Sequence, residues 1–174
     1  MNIEPSPHQS HEATFDNVPD LTALEHGDTR TPREKLDPDG TLPHIEFEEY
    51  EKYESPDLST TRVRVVFNGE PIGRCTLQQY EGSIHFDGIE LEETVEDRPR
   101  GKGYGLAAYV KAIEYAHDRG LPFETQSSWN QTESAKKIWL LMKDAGVAQE
   151  VEPFRPDTRS PHPNRFKGKY RVEY

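Results

Sequence analysis

The chain has almost no cysteine: Cys75 is the single one in 174 residues, which excludes an intramolecular disulfide and a cysteine-based zinc site. Lying between Ile72 and Leu77, it reads as core packing rather than a reactive thiol. Long hydrophobic runs are missing as well. No stretch approaches the roughly 20 apolar residues of a membrane-spanning helix, and the first residues lack the apolar centre of a secretory signal, so a cytoplasmic protein is expected. Apolar residues are scarce overall, at 32% with a mean hydropathy of −0.94. Positive charge is in deficit, with 21 Lys and Arg against 32 Asp and Glu for a net charge of −11; that argues against binding nucleic acid through its phosphates. The histidines show no metal-ligand spacing, and no metal is expected.

The deficits are uneven. Residues 1–43 hold six prolines, nine acids, three bases and one aromatic, Phe15. Such a stretch cannot bury enough apolar surface to offset the entropy of ordering it. Residues 1–43 are therefore expected to be a disordered acidic tail, dispensable for stability, and residues 44–174 one folded domain. Net charge is −10 over residues 44–97 and +5 over residues 98–174. An acidic half suits a cationic acceptor and a basic half suits a polyanion.

What is present is a run of strands followed by helices. Ile45 to Glu48 alternates apolar and acidic residues, with Tyr50 and Tyr53 extending the strand through a bulge. Glu54 to Thr60 reads as a loop, Arg62 to Phe67 as a strand, and Asn68-Gly69 as a hairpin turn into Pro71 to Leu77. Ile84 to Val95 gives a long strand in which Gly88 marks a bulge. A helix over about residues 103–119 is closed by Gly120. A short strand from Leu121 to Gln126 follows, and a second helix starts at Asn130, with Glu133 completing a capping box. Its apolar positions are Ala135, Ile138, Leu141, Met142 and Ala145. Glu152 to Asn164 reads as an irregular loop, and Phe166 to Tyr174 as a closing strand.

Between the long strand and the first helix lies Arg100-Gly101-Lys102-Gly103-Tyr104-Gly105. A basic, glycine-rich turn at a helix N-terminus leaves backbone N–H groups free to bind an anion. The turn has no Gly-Lys-Ser/Thr ending, so it is not a P-loop. Gly103-x-Gly105-x-x-Ala108 fits the dinucleotide fingerprint, but a polar spacer, Glu96 to Arg100, precedes it and too little chain follows for a doubly wound sheet.

Arg100-x-x-Gly103-x-Gly105, followed by helix, strand and helix, resembles the GNAT (general-control-type N-acetyltransferase) superfamily over residues 61–150. The resemblance implies an α+β (α/β) fold: a GNAT-like mixed, mostly antiparallel sheet flanked by helices. Only Tyr53 to Thr61 separate the first two strands, too few for the family's two pocket helices, which are expected to be missing. It also implies acetyl-CoA as co-substrate and an amine acceptor. The donor would be held by the Val95 backbone, by Arg100, Gly101, Lys102, Gly103, Tyr104, Gly105 and Leu106, and by Asn130. A glutamate on the strand before the loop would be the general base, with Glu93 first and Glu92 second; Glu90 and His85 are alternatives. The tyrosine that protonates the thiolate in the family falls on Met142 counting back from Gly146-Val147, and on Lys137 counting forward from Asn130. Trp139 is the aromatic of that helix and reads as core. Tyr104 or Tyr109 could take the missing role. The alternative is a CoA-binding or interaction module with little turnover. A homodimer is among the assemblies the sequence allows.

Overall fold

The computed structural model describes residues 28–91, 103–125 and 131–173. Its elements run α1 (Pro32–Leu36), β1 (Ile45–Glu54), β2 (Leu58–Phe67), β3 (Glu70–Tyr80), β4 (Ser83–Leu91), α2 (Tyr104–His117), β5 (Phe123–Glu124), β6 (Gln131–Thr132), α3 (Glu133–Asp144), β7 (Gln149–Pro156) and β8 (Arg165–Val172). The eight strands form one mixed sheet in the order β1-β2-β3-β4-β5-β8-β6, with β7 also paired to β8. Among the described residues only β4 and β5 pair in parallel; the other ladders are antiparallel. The α+β class and the mostly antiparallel sheet expected from the sequence are both observed.

Alternation decides which face is buried. Val63, Val65, Leu77, Ile84, Phe86, Phe123, Tyr170 and Val172 are buried on one face, against α2 and α3. Trp139 of α3 stacks on Phe123 at 5.3 Å and meets Tyr109 of α2 edge-on at 5.9 Å. The opposite face carries exposed charge. Arg62 pairs with Glu51 at 2.7 Å and Arg74 with Glu90 at 2.8 Å, and Arg64 lies over the Tyr50 ring. No helix lies between β1 and β2, which close through a tight turn with Ser55 N–H donating to the Leu58 carbonyl. The missing pocket helices are thus a property of the fold, and a charged strand face is exposed in this half of the sheet. β1 lies at one end of the strand order, and its five glutamates discourage edge-to-edge pairing with another chain.

Helix α2 is apolar nearly all round, with Ala107, Ala108, Tyr109, Val110, Ala112, Ile113 and Ala116 buried. A helix of that kind needs cover on both sides. The sheet supplies one side, and residues 31–43 help supply the other. Thr31 and Glu34 form a reciprocal capping box that starts α1, Leu36 is buried in the core cluster, and the Asp37 carboxylate accepts from the N–H groups of Thr41 and Leu42. Ordered, packed chain therefore begins well before residue 44, the start expected from composition. The proline-rich pattern concealed one short capped helix and two anchoring leucines. Residues 1–27 lie outside the described residues.

Three further expectations are corrected. Residues 149–156, read as loop in part, form β7 along β8, with register shifts that hide its period. The second helix is capped by Thr132, whose hydroxyl accepts from Ala135 N–H; Asn130 lies outside the described residues. Leu141, placed on the buried stripe, is 45% exposed.

Candidate functional site

Strand β4 leads to the glycine-rich turn, so its local geometry sets the site. Opposite β3, Cys75 pairs with Ile89 and Leu77 with Phe86, so β4 carries one extra residue between them. Gly88 has φ +90°, a conformation that glycine adopts without strain. This is the bulge expected at Gly88. It keeps Ile89 and Leu91 on the face of Ile84 and Phe86 and turns Glu90 outward, where its side chain is 74% exposed and paired with Arg74. That makes Glu90 a surface ion pair rather than a buried base.

The bulge also displays Asp87, a residue that sequence reasoning passed over. Asp87 is exposed at the surface; partial desolvation at the bulge, and then the nearby Glu90 charge, hold its carboxyl above the usual range. Asp87 lines a 280 Å³ cavity with Tyr50, Arg62, Arg74, Thr76 and Glu90. An Asp-Gly pair inside an otherwise alternating strand was the available signal, since it marks a bulge that re-aims side chains.

Tyr109 lies over the start of the β4–β5 junction. Its ring is edge-on to Phe86 of β4 at 4.8 Å and to Phe123 of β5 at 6.2 Å. Burial raises its hydroxyl well above the ordinary value; the adjacent Trp139 indole opposes the shift and the Asp87 charge adds to it. The hydroxyl is protonated at neutral pH. Trp139 and Met142 are both buried, as core packing requires. Tyr104 packs edge-on to Phe67 at 5.3 Å, away from the Tyr109 cluster. Cys75 is buried, and burial raises its thiol.

At the start of α2, Gly103 is the N-cap with φ +84° and makes no side-chain cap bond. No acid occupies the first turn, so nothing there competes with an anion for the opening N–H groups. Tyr104, Gly105 and Leu106 form this first turn, and a Cβ added at Gly105 would sit 3.6 Å from Ile138, an ordinary contact. Leu42 reaches to within 2.8 Å of where a Gly103 Cβ would be, so the N-terminal segment forms one wall of this corner. Glu92, Glu93, Val95, Arg100, Gly101, Lys102 and Asn130 lie outside the described residues. Among the described residues there is no cluster of His, Cys, Asp and Glu suited to a metal ion, and no helix long and apolar enough to cross a membrane.

No protein-family model and no curated protein matches this sequence. Solved structures overlap it in part. One is a Bacillus anthracis str. Ames protein assigned as a streptothricin acetyltransferase and crystallised with acetyl coenzyme A, at 11% identity and a TM-score of 0.43 over 77% of this chain and 84% of that one. Another is a Bacteroides thetaiotaomicron protein assigned as an acetyltransferase of the GNAT family, at 18% identity and a TM-score of 0.37 over 66% and 61%. A third, from Sphaerobacter thermophilus DSM 20745 and assigned as an acetyltransferase, has 10% identity and a TM-score of 0.39 over 82% and 87%. At this level of likeness nothing of their activity is carried to this chain. Its own topology has the strand, helix, strand and helix order expected from the sequence, and among the described residues one parallel pair, β4 with β5.

Proposed function

We propose that the protein is an acetyl-CoA-dependent N-acetyltransferase acting on an amine. One observation carries the reading: a parallel strand pair that parts after one residue pair, next to a β4 bulge and a glycine-capped helix. Acetyl-CoA as co-substrate would supply an activated acetyl thioester. The first-turn N–H groups of α2, beside Gly103, Tyr104, Gly105 and Leu106, suit its diphosphate; Arg100, Gly101 and Lys102 are proposed to add to the same contact, with Val95 and Asn130 on the donor. The β4 backbone beside the bulge would orient the acyl group.

Asp87 is the base we favour among the described residues. It stands at the bulge, and its raised pKa brings it closer to the range in which a carboxylate takes a proton from an amine effectively. Glu93 and Glu92 remain proposals for the same role. The buried Tyr109 hydroxyl keeps its own hydrogen to donate. With a pKa above that of a thiol, it would stabilise a departing thiolate by hydrogen bonding, not by full proton transfer. This suits a chain with no tyrosine in α3. The net negative charge of residues 44–97 favours a cationic acceptor.

Isothermal titration with CoA, then thiol release over a panel of primary amines, tests the proposal. Binding with turnover on at least one amine is expected. Asp87→Asn should lower turnover by roughly 10²–10⁴-fold with little change in acetyl-CoA affinity; full activity in that variant returns the role to Glu93 or Glu92. Tight binding with no turnover on any amine would instead mark a CoA-binding module.

A further inference from the structure

The β4–β5 ladder ends abruptly. Ile84 pairs with Phe123, and Ile84 N–H donates to the Pro122 carbonyl at 2.8 Å. In a continuing parallel ladder the Glu124 carbonyl would accept from the Phe86 N–H, but no further pair forms among the described residues. That carbonyl instead faces the His85 side chain, with Nδ1 at 3.1 Å. The other ring nitrogen, Nε2, lies 3.4 Å from the Tyr80 carbonyl at the β3–β4 turn and 4.0 Å from the Glu124 carboxylate. His85 is 3% exposed. The imidazole therefore meets the carbonyl that the next rung would use.

The far side of β5 is secured independently. Glu124 pairs with Arg171 of β8, Thr125 N–H donates to the Tyr170 carbonyl at 3.0 Å, the Thr125 hydroxyl donates to the Gly168 carbonyl at 3.0 Å, and it accepts from Tyr170 N–H at 2.9 Å. Strand β5 is thus held on β8, while β4 turns into its bulge two residues after His85. The short Nδ1 contact calls for a proton on Nδ1, donated to the Glu124 carbonyl.

We propose that His85 is a wedge that terminates the β4–β5 ladder and fixes the gap between the strands, and so acts as a positioning residue for an acyl donor entering that gap. The donor rests on the function proposed above; the wedge does not. A backbone rung would draw the strands to ladder spacing, whereas a ring bonded to the same carbonyl keeps them apart and still satisfies it.

Two substitutions in the full-length protein test this. His85→Asn keeps an N–H donor at the Nδ1 position, and His85→Leu removes it at similar bulk. In His85→Leu the Phe86 amide should gain at least about tenfold protection from hydrogen exchange as the ladder closes, and the acetyl-CoA dissociation constant should rise about tenfold. His85→Asn should leave both near wild type. Unchanged Phe86 exchange in His85→Leu overturns the wedge, as does an Asn variant that behaves like the Leu one. If His85→Leu does not fold, His85→Gln, whose amide reaches toward Tyr80 instead, is measured in its place with the Leu outcome expected. A wild-type protein that fails to bind acetyl-CoA sinks the proposed function, while the exchange measurement still decides the wedge.

Discussion

Gly105→Asp separates anion binding from folding at the start of α2. Gly105 is the second helical residue after the Gly103 N-cap, and a Cβ there meets only Ile138 at ordinary contact distance. Replacing glycine improves helix propensity, and an acid in the first turn complements the helix dipole, so the fold should gain about 0.5–1 kcal/mol. That is a rise of a few degrees in melting temperature at this chain length, roughly 2–4 °C per kcal/mol. A diphosphate at the same turn would meet the new carboxylate at ~5 Å. With an effective dielectric near 20, each pair of unit charges repels by about 3 kcal/mol, so CoA affinity should fall on the order of 100-fold. Gly105→Ala is the control, with a larger gain in helix propensity and no charge. Titration calorimetry with CoA reads the affinity, and the Asp penalty should shrink as salt is raised. Equal affinity in the Asp and Ala variants, with the Asp variant folded, would refute an anion site at this turn. Gly103 cannot serve for the test, because φ +84° and the nearby Leu42 would strain any side chain there.

The remaining predictions concern the scaffold. In Gly73→Ala the new Cβ would lie 2.4 Å from the Glu90 carbonyl oxygen; forcing β3 from β4 there should cost about 1–3 kcal/mol, read as a lower melting temperature, and an unchanged melt would mean the strands part freely. Deleting residues 1–43 removes Leu36 and Leu42 from the outer side of α2 and should destabilise by roughly 2–4 kcal/mol, whereas composition alone predicts no loss; a melt identical to the full chain would restore the reading from composition. Burial holds the His85 pKa below its ordinary 6.5, so the unfolded chain takes up that proton first. This contribution to stability is present above pH 6.5 and is lost as pH falls toward the folded value. His85→Asn should flatten that part of the pH–stability curve, and a curve unchanged by the substitution would remove His85 as its source.

Local chemistry made much of this protein legible in its sequence. Alternation in β1 to β4, the Asn68-Gly69 turn, the bulge at Gly88 and the glycine end of α2 are written in neighbouring residues, because turn conformation and strand period are local properties. The order of strands, loop and helices followed from them. β7 was not legible, since its two register shifts against β8 erase the period that marks a strand. Nor was the role of residues 31–43: covering α2 depends on a helix some 70 residues away, and a composition that reads as disorder says nothing of Leu36 and Leu42 finding it. At the site, sequence singled out the turn but searched for the base further along β4. The one-residue bulge turns Glu90 outward into an ion pair with Arg74 and leaves Asp87 beside it on the same cavity. His85 read as one more strand histidine, because the carbonyl it faces belongs to Glu124, 39 residues later. A side chain that ends a ladder is visible only when both strands are in place. The sequence determined β1 to β4, the turn and the two longer helices; tertiary packing decided β7, the docking of residues 31–43 and which side chains the gap between β4 and β5 brings together.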